Sequence, residues 1–459
     1  MSQKNKPVKL PEYRGKKWIQ GVLPSTSETW LLGAHIFSPG TRAHARAARK
    51  NDHIYGEVLY RATRHCSWQW PKRQVFFIAD AHADADAFCG SLVASGGVRK
   101  TGPDAMDYKL TKKGKQGVFV IGGDCLDKGP SNLRLLKSLH KLMKSGANVK
   151  LLAGNHDMRL LMGIRSMTLE KTTTTEHFFL RMSPKAIPLL KEIHSTYLKG
   201  KHALDGIPGN NECLQRLSPS ENWFKAFPED ARRLMSGPAI KREMSRMKRK
   251  LNTFEGACKE AGLSIRDVYA AALKCQELFL SPKGEFYWFF EKMRLAWRSG
   301  SFLFIHAGLD DRISSMIERE GIGHINKLFR KQIKHNLFDF YFGPLANTMR
   351  TKYRKVDLPL TNQGVDRVYR QGIHAIVHGH NNRLHGQRIM LRQGMIHIEC
   401  DVSLDRNTRK KEGMEGYGMG VTLIQPEGCV IGISKDYPHA KVFQPKNVTG
   451  KKKHKRSYG

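Results

Sequence analysis

The residues of this chain best suited to chemistry come in short clusters: Asp80-x-His82, Asp124-x-x-Asp127, Asn155-His156-Asp157, then His306 and His380. Carboxylate and amide oxygens mixed with imidazoles suit Mn, Fe or Zn better than Ca or a thiolate-seeking ion. A single carboxylate such as Asp124 can bridge two such ions. Two metals roughly 3.5–4 Å apart can bind and orient a phosphate and lower the pKa of a water between them.

What must position these side chains is legible around them. Val75-Phe76-Phe77-Ile78 is an apolar run that stops just before Asp80, and Val118-Phe119-Val120-Ile121 stops before Gly122-Gly123-Asp124. Both read as buried strands ending in polar loops. Leu136, Leu139 and Met143 recur at helical spacing between Ser131 and Ser145, and Val149 to Ala153 makes a third strand. Strand, helix, strand predicts a parallel sheet with right-handed crossover. Strand signals return at Phe302 to Ile305, ending at His306, and at Ile373 to Val377, ending before His378-Gly379-His380. Each candidate group thus sits at the C-terminal edge of a strand, where open α/β sheets place their sites.

The segment between these halves reads as helices, including Ile187 to Leu198, Arg242 to Ala261 and Ser264 to Leu280. The chain divides accordingly into a basic arm and lead-in (1–74), a first α/β half (75–165), a helical cap insertion (166–300), a second α/β half (301–436) and a basic disordered tail (437–459).

Lys and Arg outnumber Asp and Glu by 78 to 41, a formal net charge of +37, which points to an anionic substrate or partner. The arm (Lys4, Lys6, Lys9, Arg14, Lys16, Lys17), the run Lys241 to Lys250 and the tail carry enough positive charge to attract nucleic acid or another polyanion without reading its sequence. A charge run is also what a solvated helix face looks like, and Met244 and Met247 give that helix one apolar edge. The eight cysteines form no CxxC pair and no dense framework, so they read as reduced thiols. No stretch approaches the ~18 apolar residues of a membrane span, and the basic N-terminus has no apolar core behind it. The expectation is a cytoplasmic protein with no membrane partner.

The blocks IADAH, GGDCLDKGP, LAGNHD, FIHAGL and VHGHN, in this order, resemble those of the calcineurin-like metallophosphoesterases. The resemblance is closest to the branch of the Ser/Thr phosphoprotein phosphatases and the symmetrical dinucleoside tetraphosphatases, and it covers roughly residues 75–165 and 300–405. It implies an α/β fold: a metallophosphoesterase β-sandwich flanked by helices, with the helical cap inserted. It further implies a phosphatase that hydrolyses phosphate monoesters by attack of a metal-bridging hydroxide. Two divalent or mixed-valence ions (Mn, Fe or Zn) would be held by Asp80, His82, Asp124, Asn155, His306 and His380. His156, paired with Asp127, would be the general acid, and Lys128 with Asn155 would hold the substrate phosphate.

The chain also departs from the pattern. Lys128 stands where that branch usually has arginine, and a lysine cannot reproduce the bidentate fork. Ala79, Ala83 and Ala307 replace usual glycines, and no second histidine follows His380 two residues on, which counts against a nuclease. His378 competes with His380 for one ligand position. Asp84 and Asp86 read as helix caps, His374, His385 and His397 as structural or solvent-facing, and Asp401 as a group that orients a ligand or water. Two other readings stand beside the phosphatase: a hydrolase of dinucleoside polyphosphates or nucleic-acid phosphoesters, and a basic nucleic-acid-binding protein with a degenerate phosphoesterase fold.

Overall fold

Alternation explains why the apolar runs become strands buried on both sides. In a computed structural model describing residues 8–33 and 41–445, Val75 and Phe77 face one hydrophobic core while Phe76 and Ile78 face another. The strands are β1 (Ser27–Thr29), β2 (Val75–Ile78), β3 (Val98–Lys100), β4 (Tyr108–Leu110), β5 (Val118–Ile121), β6 (Asn148–Leu152), β7 (Met293–Arg294), β8 (Ala296–Ser299), β9 (Phe302–Ile305), β10 (Ala375–His378), β11 (Arg388–Arg392), β12 (Met395–Glu399), β13 (Gly420–Gln425), β14 (Cys429–Ser434) and β15 (Ala440–Phe443).

They form an eight-stranded sheet in the order β1-β15-β14-β13-β2-β5-β6-β7 and a five-stranded sheet in the order β11-β12-β10-β9-β8, with β3 and β4 as a separate pair. The smaller core joins the two sheets: Val75, Phe77, Val118 and Val120 from the first meet Phe302, Phe304, Val377 and Ile398 from the second. The larger core covers the outer faces with helices, so the architecture is a mixed α/β sandwich. At the centre, β2, β5 and β6 run parallel, and so do β9, β10 and β12. The helix Asn132–Lys144, capped by the Ser131 side chain on Arg134 N, makes the crossover between β5 and β6.

The helices Ile187–Tyr197 and Ile265–Leu280 match the sequence periods to within a residue, and Gly237–Glu260 begins five residues before the period that starts at Arg242. Two boundaries need correction. The cap drawn as 166–300 ends in β7 and β8, one in each sheet; with only two and four residues and an arginine in each, they lack a continuous apolar run. The tail drawn from 437 begins too early, because β15 at 440–443 pairs with β14 and with β1. The lead-in contains the helix Arg42–Ala62, which buries Tyr55, Val58, Leu59 and Ala62 at helical spacing although most of its other residues are polar. Lys4, Lys6 and the lysine-rich end of the chain lie outside the described residues. Among the described residues all eight cysteines are free, and no helix is long and apolar enough to cross a membrane.

Candidate metal centre

Because β2, β5, β6, β9 and β10 end at the same edge, the loops that follow them converge. Asp80 and His82 follow β2, Asp124 follows β5, Asn155 and His156 open the helix Asn155–Ser166 after β6, His306 follows β9, and His380 follows β10. The turns are sharp. Asp80, His82, Ala83, Asp124, Asp127, Lys128 and His380 all take positive φ, between 40° and 73°, and they make up most of the non-glycine residues that do so. Such backbone costs about 1–3 kcal/mol per residue and persists where surroundings over-determine it, typically at functional sites. Ala83, at φ 56°, adopts the conformation that a glycine would take without strain.

The loops are tied to each other by the buried Asp157. Its carboxylate accepts from the backbone N–H of Cys125 at 2.9 Å, Leu126 at 3.0 Å and Gly154 at 3.2 Å. Gly154 must be glycine, since a Cβ there would lie 1.9 Å from Asp124 N.

Asp124 is the hub. Its Oδ1 accepts from His156 N at 2.8 Å, while Oδ2 is approached by the Nε2 atoms of His306 at 3.4 Å, His156 at 3.8 Å and His82 at 3.9 Å. The two longer separations exceed a hydrogen bond. They are close to the spacing of atoms that share one cation at about 2.0–2.2 Å. His82, Asp124 and His156 form one group that can hold a metal ion, and Asp124, His306 and His380 form a second that shares Asp124. His380 Nε2 is buried with no hydrogen-bond partner. Unpaired buried donors and acceptors are uncommon, and a ligand is one way to satisfy them. Asn155 Oδ1 lies 3.3 Å from His306 Nε2, beside this second group. Residues and spacing thus could hold a metal ion beside Asp124, although Asp80, expected as a ligand, belongs to neither group.

The electrostatics agree. Burial pushes the Asp80 carboxyl well above the usual carboxylate range, with Asp401 and Asp124 adding to the effect. Burial works to lower His306, yet Asp124 and Asp80 carry it up to about 10, so the carboxylates hold a proton where a cation would satisfy them. Asp80 itself accepts from His380 N at 3.1 Å through both oxygens. Asp401 is fully buried, and its Oδ2 has no partner.

His156 and Asp127, which the resemblance implies as a pair, lie with Nδ1 and Oδ2 2.7 Å apart. Burial acts to raise Asp127, but His156 outweighs it and the carboxyl is held below its usual value. Lys128 Nζ lies 2.7 Å from His82 Nε2. His378 is elsewhere, with Nδ1 at 3.0 Å from Gly379 O and Nε2 at 3.4 Å from His397 Nδ1. Asp84 caps a helix through Ala87 N, and Asp86 pairs with Arg134 and Arg406.

These groups surround an open polar cavity of about 420 Å³, lined by Asp80, His82, Asp124, Lys128, His156, Lys352, His380, Asn381, Asn382 and Arg383. Lys352 and Arg383 were not foreseen. They come from loops without a block pattern, and a basic loop residue in so basic a chain carries little signal. The basic run 241–250 also divides unexpectedly: Lys241, Arg242, Lys248 and Arg249 point to solvent, while Arg246 turns inward onto the buried Glu243, which also pairs with Arg181 at 2.5 Å.

The chain matches no family model and no curated protein. Among solved structures it is similar to a cold-active protein-tyrosine phosphatase of a psychrophilic Shewanella species, at 14% identity and TM-score 0.40, covering 81% of this chain and 80% of that one. A second structure, of a cold-active protein tyrosine phosphatase at 1.1 Å, gives 15% identity and TM-score 0.41 over 85% and 83% of the two chains. A likeness this distant decides nothing about activity, and the case for one rests on the residues around Asp124.

Proposed function

We propose that this chain is a phosphatase, hydrolysing phosphate monoesters at a dinuclear centre built from Asp80, His82, Asp124, Asn155, His306 and His380. The observation that carries the reading is the convergence of the Nε2 atoms of His82, His156 and His306 on one oxygen of Asp124, with His156 also paired through Nδ1 to Asp127. Two divalent ions at such a centre would supply Lewis acidity, charge neutralisation and a water of lowered pKa. Mn, Fe and Zn suit this donor set.

The chain's own groups would do the rest. His156, held by Asp127, stands where it can give a proton to the departing alkoxide. Lys128, Lys352 and Arg383 bring positive charge to the cavity in which the phosphate would sit. Asn155 lies beside His306 at the first turn of the helix Asn155–Ser166, where backbone N–H groups favour anions.

The test is Mn-supplemented hydrolysis of para-nitrophenyl phosphate and of its diester analogue, with wild type and Asp124→Asn, under chelator titration. Metal-dependent monoester turnover that disappears in Asp124→Asn supports the reading. Metal binding with no turnover of either ester would point instead to a protein that binds anions without cleaving them.

A further inference from the structure

One feature of the cap is unused by this chemistry. From the reaction centre a series of cations runs into the cap: Lys185, Arg159, Lys250, Arg181, Arg246 and Arg350. Among the described residues the carboxylates beside them are Asp124, Asp127 and Glu243, and Asp124 is engaged at the centre already described. Asp127 is engaged by His156, and the two oxygens of Glu243 are taken by Arg181 and Arg246. Arg350 is satisfied by the carbonyls of Ala346 and Tyr341.

Arg159, Lys185 and Lys250 are therefore left, among the described residues, without a carboxylate within ion-pair distance. Arg159 Nη1 is buried and has no hydrogen-bond partner. Arg159 and Lys250 are half-buried and Lys185 is exposed, so the desolvated charge without a counter-charge is concentrated at Arg159 Nη1, where an anion from outside would offset its cost. The like charges also press on one another: burial, then Arg181 and Arg159, bring Lys250 down to about 7.

The position of the cluster says which anion. Arg159 follows His156 by three residues on the helix Asn155–Ser166, so the two share a face with Cβ atoms about 5–6 Å apart. Arg159 and Lys185 also edge the narrow crevice that opens beside His156 and Asp127, whose other walls are Leu160, Met182, Ala186 and Leu189. This is the side from which a leaving alcohol protonated by His156 would depart.

We infer that Arg159 and Lys185 form a subsite for a second phosphate carried by the leaving group, so that the substrate is a small organic bisphosphate. The inference rests on the phosphatase reading. Hydrolysis breaks the bond between phosphorus and the alcohol oxygen and joins the phosphoryl group to water. The alcohol leaves with a proton from His156 and keeps its second phosphate, which Arg159 and Lys185 hold.

The test compares, with the Mn-loaded full chain, kcat/KM for adenosine phosphorylated on both the 3′ and 5′ hydroxyls with the values for each adenosine monophosphate. Para-nitrophenyl phosphate serves as a reference. The bisphosphate is expected to exceed the better monophosphate by about tenfold or more, the value of a charge-assisted hydrogen bond or two. Arg159→Gln and the more exposed Lys185→Gln should each pull that ratio toward one, with the fold checked by circular dichroism. A wild-type ratio near one, or a ratio that neither variant changes, overturns the subsite while turnover of para-nitrophenyl phosphate upholds the phosphatase. No metal-dependent turnover of any ester overturns both.

Discussion

Nζ of Lys128 lies 2.7 Å from Nε2 of His82, the same ring nitrogen that faces Asp124. An ammonium and a divalent cation cannot share one lone pair, so Lys128 must leave this nitrogen when a metal binds there, and it is then free to meet a phosphate. Lys128→Ala should therefore tighten Mn binding, measured by calorimetry, while raising KM about tenfold through loss of one charged contact. Unchanged metal affinity would mean that the lysine does not compete.

The contact between His156 and Asp127 predicts a dependence on the leaving group. His156→Ala should lower kcat by about 10²–10⁴ for an alkyl phosphate, the usual contribution of general acid catalysis. The loss should be much smaller for para-nitrophenyl phosphate, whose leaving group needs little protonation. Asp127→Asn should act in the same direction. Equal losses on both esters would remove the proton-donor role.

Glu243 lies in the cap at 3% side-chain exposure between Arg181 and Arg246. Glu243→Gln leaves those cations without their carboxylate and should destabilise the protein by about 3 kcal/mol, the scale for breaking one member of a buried pair. Denaturant unfolding would show it, and a variant as stable as wild type would mean that the cluster is compensated otherwise.

Lys250 gives stability a pH dependence whose sign can be worked out. Burial, then Arg181 and Arg159, lower it to about 7, with Arg246 adding and Glu243 opposing. From there up to the ordinary lysine range, the unfolded chain holds a proton that the native chain has released. Stability therefore rises with pH across that window, and below about 7, where both states are protonated, the contribution stays at its lowest. In urea unfolding at pH values on either side of the window, wild type should gain stability relative to Lys250→Met as pH rises. Parallel curves for the two proteins would refute the assignment.

The groups at strand ends were readable in the sequence because strand and chemistry are continuous there: Phe302 to Ile305 leads into His306 as Val118 to Ile121 leads into Asp124. The apolar run marks the strand, and the polar residue after it marks the edge. Met293–Arg294 and Ala296–Ser299 escaped notice because short strands at sheet edges need little apolar length. Lys352, Arg383, Arg159 and Lys185 were invisible for another reason. Their meaning lies in the cavities they line beside His156 and Asp124, and only tertiary packing reveals that. The inward turn of Arg246 and Lys250 shows the same limit, since helical spacing gives a face but not its partner.

The division of cations between the outward side of the Gly237–Glu260 helix and the crevice beside His156 also gives this protein two responses to ionic strength. Mobile ions at about 0.15 M screen exposed charge beyond roughly 8 Å and affect partly buried charge much less. Attraction of a long polyanion to Lys241, Arg242, Lys248 and Arg249 would fade as salt is added. The pull of the half-buried Arg159 on a small anion beside His156 would outlast it, so a salt titration separates the charge that gathers anions at the surface from the charge that selects them within.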